Sequence, residues 1–373
     1  MKIAKRALIL ILAAILLLPS FAGCSKTKEK IVLSFGNVKI TADVYRYWLS
    51  SFKYYFVSRY EDIDDTVECW RRDLGNGQTV GEYVEDYTLQ YAKSVLCSLK
   101  LFNDYKLKLP KEATEEIDDS ISEIIRYQFN DSKAEFNSAL METYGIGINM
   151  LREAFIYEAK VDFLEQYLFG EKGIAVPTAE ETDAYYKANY VRVGMIVLNI
   201  SSVPETDLEG NPVLDGSGNP VTRPLTDGEL AEKEQAATEL LEKLKGGEDI
   251  FALSKEYGDQ DLSDRQNGYY FARDERASLV ASGYDRDLVD GIFTLNAGES
   301  ASYRTEEAIV LIQSLPLADG AYKSEEDSDQ FSSLNDYVIS DKYEKMMKEM
   351  WDGIVVDDYV YTLKAEDVKK GFI

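Results

Sequence analysis

Read from the N-terminus, the pattern of apolar and polar positions changes character several times. Ala7 to Leu18 is an unbroken apolar run behind Lys2, Lys5 and Arg6. It is shorter than the roughly 20 apolar residues of a membrane-spanning helix and has the build of a signal-peptide core. Ile31 to Ile40 reads as strand with a tight turn at Gly36-Asn37. Thr41 can cap the helix that follows, in which Tyr45, Trp48, Leu49, Phe52, Tyr55 and Phe56 recur at helical spacing. A Gly/Asn-rich loop over 73–79 precedes a long helix from Glu82 to about Tyr105, carrying Val84, Tyr91, Val95, Leu99 and Phe102. Ile117, Ile121, Ile124, Ile125 and Phe129 mark a third helix. Ser132 and Glu135 have capping-box spacing before Phe136, Leu140 and Tyr144, and Gly145 can end that helix. Leu151, Phe155, Tyr157, Phe163, Leu164 and Tyr167 line another. Aromatic stripes at this spacing are read as core.

Past residue 190 the period shortens. Val191 to Ile200 reads as a strand, Glu229 to Lys245 as a charged amphipathic helix, and Ala308 to Leu315 as a closing strand. Between 200 and 227 lies a doubled element, Gly210-Asn211-Pro212-Val213 and Gly218-Asn219-Pro220-Val221. Asn and Gly accept turn dihedrals and Pro sets φ, so an exposed hairpin is predicted. The acidic Asp207, Glu209 and Asp215 match no calcium-loop spacing, which leaves the hairpin preferred. Asp319 to Ser328 reads as a polar linker. Phe331, Leu334, Tyr337, Val338, Tyr343, Met346, Met347, Met350 and Trp351 then predict a long amphipathic helix. Ile354 to Asp357 with Tyr359 to Tyr361 reads as a short strand. Helical runs at both ends around a strand-containing middle make the fold class α+β.

Composition narrows the chemistry. At 373 residues, 45% hydrophobic, the chain can bury the cores of two or three domains. Its formal charge of −26 falls to −29 when Lys2, Lys5 and Arg6 leave with the signal. Such a surface repels nucleic acid and anionic lipid, which excludes both as partners. The chain contains no histidine. That excludes Ser-His-Asp and Cys-His nucleophilic catalysis, histidine-bound zinc and an imidazole base. No cofactor or metal is expected. Apart from Cys24, the cysteines are Cys69 and Cys97, which leave a disulfide and two unrelated buried thiols both open.

Three stretches carry resemblances. Pro19-Ser20-Phe21-Ala22-Gly23-Cys24 resembles the lipobox of bacterial lipoproteins, with a bulky Phe21 where an aliphatic residue is usual. This implies a signal over 1–23, a lipid on Cys24, a tether over 24–30, and a protein held at the extracytoplasmic face of the membrane by that lipid alone. The strand–turn–Ile40-Thr41–helix start and the run Ala134-Glu135-Phe136, Tyr144-Gly145-Ile146, Leu151-Arg152-Glu153 resemble the N-terminal chaperone region of SurA- and PrsA-type foldases. Gly246-Gly247-Glu248-Asp249-Ile250-Phe251-Ala252, Gln266-Asn267-Gly268-Tyr269-Tyr270-Phe271 and Ile292-Phe293-Thr294-Leu295-Asn296-Ala297-Gly298-Glu299 resemble the parvulin signature in order and spacing. These imply a helical chaperone lobe over 31–175, a linker helix over 176–188, and an inserted parvulin-like domain over 189–317, a small antiparallel sheet flanked by helices. A linker over 318–328 and a returning segment over 329–373 complete the arrangement.

In the parvulin alignment Met195 and Val310 fall where the family keeps two histidines, and no Asp or Cys stands over 267–269. The family's apolar proline pocket maps onto Tyr284, Leu288 and Phe293. The resemblance therefore implies an extracytoplasmic folding factor for unfolded or proline-containing exported polypeptides, with weak or no isomerase activity. An active prolyl isomerase and an acidic structural lipoprotein serving a fixed partner are the competing readings. A homodimer is compatible with the sequence.

Overall fold

A computed structural model describes residues 30–60, 62–207, 209, 211–260, 262 and 265–372. The expected signal and Cys24 lie outside the described residues. In chain order the elements are β1 (Ile31–Phe35), β2 (Val38–Thr41), α1 (Ala42–Arg59), α2 (Val67–Trp70), α3 (Val80–Asp104), α4 (Lys111–Phe129), α5 (Lys133–Thr143) and α6 (Ile148–Phe169). They continue with α7 (Ala179–Asn189), β3 (Tyr190–Asn199), β4 (Val203–Pro204), β5 (Thr222–Arg223), α8 (Asp227–Lys245), α9 (Ile250–Tyr257), β6 (Tyr269–Ala272), α10 (Arg276–Ala281) and α11 (Arg286–Thr294). Last come β7 (Ser300–Arg304), β8 (Ala308–Leu315), α12 (Leu334–Glu349) and β9 (Val355–Val356). The fold is α+β. Two compact units divide the chain, one made of residues up to Val176 with those from Asp341 onward, the other of Pro177–Ser340. Among the described residues no helix is long and apolar enough to cross a membrane.

In the first unit the helix starts follow local chemistry. Thr41 accepts from the Val44 N–H ahead of α1, and Thr79 with Glu82 forms a reciprocal capping box at α3. At α5 only half of the expected box forms: Ser132 accepts from Glu135, while the Ser132 N–H donates to the Phe129 carbonyl at 2.7 Å. Gly145, at φ +73°, turns the chain out of α5. Trp48, Leu49, Leu96, Phe136, Leu140, Tyr144 and Leu151 are buried in one core with Leu33 and Ile40 of the hairpin. Burial of each such side chain contributes about 2 kcal/mol.

The C-terminal residues complete this core. β9 pairs antiparallel with β1, Leu33 opposite Val356, so the sheet order is β2-β1-β9. Tyr359 to Tyr361, expected as strand, lie instead in a 3₁₀ turn over 358–362 capped by Asp357. Beyond it the Ala365 N–H donates to Glu85 at 2.8 Å, the Gly371 N–H to the Ser50 carbonyl at 2.9 Å, and the Phe372 N–H to Tyr144 Oη at 2.7 Å. Lys53, 2% exposed, donates to the Val368 carbonyl, ion-pairs with Asp65 at 2.9 Å and lies 4.9 Å from the Trp70 ring centre.

Of the two readings left open for Cys69 and Cys97, the structure has the second: both are free, buried thiols. Cys69 Sγ faces the Asp62 carbonyl at 3.9 Å. Cys97 lies along the buried stripe of α3, and burial pushes its thiol up to about 11.

The second unit is built on an antiparallel sheet of order β6-β3-β8-β7. Ile196, Leu198, Ile309 and Leu311 face α8 and α9, whereas Val193, Val310 and Ile312 face α11. Neither α10 nor β7 was expected from the sequence, because both are short and carry little periodicity. Segments expected as linkers pack instead: Tyr185 and Tyr186 of 176–188 and Ala321 of 318–328 share one cluster with Tyr190, Tyr270 and Phe331. Tyrosines tolerate a polar neighbourhood in sequence and still bury their rings. The insertion is closed by the antiparallel pair β4–β5, as a hairpin would be, and beyond that pair it carries two loops of one design. Asp207 Oδ1 accepts the Glu209 and Asn211 N–H groups, and Asp215 Oδ1 accepts those of Ser217 and Asn219. These bonds hold the Asp215 carboxyl below its ordinary value.

Gly194 lets α9 press against β3, since a Cβ there would stand 2.5 Å from Ile250 Cγ2. Gly194→Ala is expected to lower the stability of this unit by about 1–3 kcal/mol, read as a drop in urea midpoint. Gly228→Ala, with nothing within 4 Å of the added methyl, serves as the neutral control.

Candidate functional site

The strand register decides where the expected site residues lie. Met195 stands opposite Ile312, and Val197 opposite Val310, so Met195 and Val310 are diagonal neighbours on adjoining strands and share a face. Leu288 and Phe293 on α11 bury against that face, at 7% and 6% exposure, in one cluster with Val193, Val289, Ile292, Val310 and Ile312. Tyr303 of β7 fills the remaining space; a Cβ on Gly291 would collide with its ring. Tyr284 lies in the turn before α11 and is 53% exposed. The structure thus brings Met195, Val310, Leu288 and Phe293 together as packed core rather than as an open groove. The physical cause lies in the side chains. Met195 and Val310 bring no polar atom that needs water, so the helix closes onto them.

An open cavity lies beside this cluster, and Met195 is its shared member. Its volume is about 680 Å³, with Phe251 and Ala252 of α9, Leu262 and Tyr269 supplying apolar walls beside Met195. Lys255, Gln260, Arg265 and Gln266 bring polar ends to it. Arg265 stands 5.9 Å from the Tyr269 ring centre and pairs with Asp329 at 2.7 Å. An apolar floor with cationic and amide groups at the rim can take an extended peptide, its carbonyls bonding to the donors. Asp249 and Ser254 also line it, and among its described lining residues there is no thiol and no imidazole. Among the described residues no group of three or more His, Cys, Asp or Glu is placed to hold a metal. The part of this cavity contributed by α9 was missed in the sequence, where 246–257 stood out only as a family signature.

The first unit carries a second candidate surface. Tyr83, Tyr87 and Tyr91 repeat every fourth residue on α3 and meet Trp48, Phe52 and Phe56 of α1. Ring centres lie 4.9 Å apart for Phe52–Tyr87, 5.1 Å for Phe52–Tyr91, 5.3 Å for Trp48–Tyr91 and 5.7 Å for Phe56–Tyr83, all edge-to-face. Tyr60 stacks on Phe56 at 5.7 Å. Tyr55, Tyr60, Tyr83 and Tyr87 remain between 43% and 48% exposed. Of these only Tyr55 was picked out from the sequence, and as core. The four-residue tyrosine repeat was the available signal.

At one end this surface meets α6. Burial, and then the neighbouring Asp162 charge, push the Glu158 carboxyl up to about 7. The Trp48 indole N–H faces Glu158 and acts the other way, short of a well-formed hydrogen bond. Burial also raises Asp162. Both carboxyls act on Tyr91, and Glu158 acts on Tyr47, holding these phenols well above their ordinary range after burial itself.

No family model matches the chain, and no curated protein matches it. Among solved structures the chain is similar to PrsA from Bacillus subtilis, at 19% identity over 80% of this chain and 93% of that one, with a TM-score of 0.23. It is similar to the peptidylprolyl isomerase PrsA from Bacillus cereus, at 16% identity over 76% and 91%, with a TM-score of 0.24. It is also similar to the foldase protein PrsA from Lactococcus lactis, at 12% identity over 90% and 97%, with a TM-score of 0.21. With TM-scores this low, the functional reading rests on the residues themselves.

Proposed function

We propose that this chain is a lipid-anchored extracytoplasmic folding factor that holds unfolded exported polypeptides and catalyses little or no prolyl isomerisation. The observation that carries the reading is the pairing of a large half-exposed aromatic surface with an apolar site that has no polar floor. Four tyrosines exposed above a phenylalanine base offer adaptable contact area to an extended chain. The cavity at Met195 is the peptide groove of the parvulin-like domain; Leu288 and Phe293 are its buried support and Tyr284 an exposed contact nearby in sequence. Met195 and Val310 offer no hydrogen-bond donor to a twisting amide, so the stabilisation that a polar floor would give is missing. The lipid on Cys24 would keep the protein where exported chains emerge.

Two assays on one preparation test this. Light scattering of an unfolded secreted client is expected to rise several-fold more slowly with equimolar protein and no nucleotide. A protease-coupled proline-peptide assay is expected to leave relaxation at its uncatalysed tens of seconds. Unslowed aggregation, or fast isomerisation abolished by Leu288→Ala, overturns the proposal.

A further inference from the structure

The chain has two Asn-Gly pairs, Asn76-Gly77 and Asn267-Gly268, and the fold treats them oppositely. An asparagine before glycine is chemically labile in water, because no Cβ shields the glycine nitrogen from the asparagine side-chain carbon. Asn76 and Gly77 are exposed at the tip of the 73–79 loop. The ends of that loop are tied by the Asp73–Thr79 bridge and by the Leu74 N–H, which donates to the Gln78 carbonyl at 2.9 Å. Asn76 Oδ1 accepts the Gln78 N–H at 3.1 Å, which folds the side chain over the Gly77 peptide. Among the described residues neither Asn76 Nδ2 nor the Gly77 N–H has a hydrogen-bond partner, and nothing stands within 4 Å of where a Gly77 Cβ would be. At the second pair the same groups are held. Asn267 Nδ2 donates to Asp327 at 3.1 Å, and the Asn267 carbonyl accepts Arg192 Nε at 2.6 Å. Gly268 is buried, and its N–H donates to the Arg265 carbonyl at 2.8 Å.

We propose that Asn76 is a site of spontaneous intramolecular deamidation in the folded protein, and that the fold protects Asn267 from the same reaction. Gly77 N gives its proton to solvent hydroxide and attacks Asn76 Cγ. The new N–Cγ bond closes a five-membered imide, the Cγ–Nδ2 bond breaks, and ammonia leaves with a proton taken from water. Water then opens the imide at either carbonyl, which leaves aspartate or isoaspartate at position 76. The Gln78 N–H already donates to the oxygen on which charge develops as Cγ becomes tetrahedral. Both products add a carboxylate to a cavity of about 360 Å³ that Glu82, Glu85 and Asp86 already line. Isoaspartate also adds a backbone carbon to the loop that positions Thr79, the cap of α3. The first turn of α3, which leads into Tyr83 and Tyr87, therefore loosens as the protein ages.

Incubating the full protein, folded and in urea, in mildly alkaline buffer at physiological temperature tests this without any variant. Mass spectrometry of the two tryptic peptides follows each conversion, and enzymatic carboxyl methylation reads isoaspartate. In the folded protein Asn76 is expected to convert at least about tenfold faster than Asn267, whereas in urea the two rates agree within about threefold. Asn76→Gln, an exposed change, is expected to remove the isoaspartate signal of the folded protein. Conversion is expected to speed amide exchange at Glu82 and Tyr83 several-fold while the β3–β8 amides keep their protection. Equal rates in the folded protein, no conversion of Asn76 while the urea sample reacts, or a signal that survives Asn76→Gln would each overturn the proposal. Exchange at α3 that stays unchanged on conversion would sink the loosening of that helix.

Discussion

Lys53→Ala lowers the stability of the first unit by about 2–4 kcal/mol, measured as a loss of urea midpoint at constant slope. The side chain is nearly fully buried, and three partners depend on it: the Val368 carbonyl, Asp65 and the Trp70 ring. Truncation leaves the carbonyl without its donor and removes a stem that fills space against an aromatic ring. Asp65 is about a third exposed, so water recovers part of its solvation, which keeps the estimate below that for a fully buried pair. Lys53→Met restores the stem alone and is expected to recover about half of the loss. Removing residues 366–373 deletes the carbonyl partner together with the Gly371 and Phe372 hydrogen bonds. In a double-mutant cycle that deletion and Lys53→Ala should therefore cost less together than their sum. Strict additivity would show that the tail and Lys53 do not act on each other.

Glu158→Gln makes the protein more stable at pH 8 by about 1–3 kcal/mol and leaves it unchanged at pH 4. The folded-state carboxyl, at about 7, lies above the ordinary glutamate value of 4.5. Between those values the folded protein binds more protons than the unfolded chain, so the contribution is fully present below about 4.5 and is lost as pH rises through about 7. Asp162, raised in the same direction, adds to the slope. Tyr47 and Tyr91, which face Glu158 from α1 and α3, stay neutral across this window, and the Trp48 indole carries no charge. Denaturant melts of wild type and variant from pH 4 to 8 read the difference directly. Parallel curves would show that Glu158 titrates as a solvated carboxyl.

Local signals were legible in the sequence. Thr41 and Ser132 cap helices because a side-chain oxygen reaches an N–H three residues on, whatever the rest of the chain does. The Gly36-Asn37 turn and the doubled Asn-Pro-Val loops depend on dihedrals that their own residues prefer. The α+β class follows from where the hydrophobic period changes, and the absence of histidine excludes imidazole chemistry outright. Contacts far apart in sequence were a different matter. Nothing in Val355-Val356 announces β1 as its partner, and nothing in Val368 announces Lys53. Cys69 and Cys97 could have paired until packing turned each towards other neighbours.

The site divides in the same way. The parvulin resemblance singled out Leu288, Phe293, Met195 and Val310, but only tertiary packing decided that α11 and Tyr303 close over them and that the open space lies by Phe251 and Tyr269. On α1 and α3 an aromatic stripe has one appearance in sequence whether it is core or surface. Trp48 is buried and Tyr87 half-exposed because of what other helices cover. Backbone preferences act over a few residues and can be read from them. Burial and pKa shifts are sums over neighbours that only the folded chain assembles.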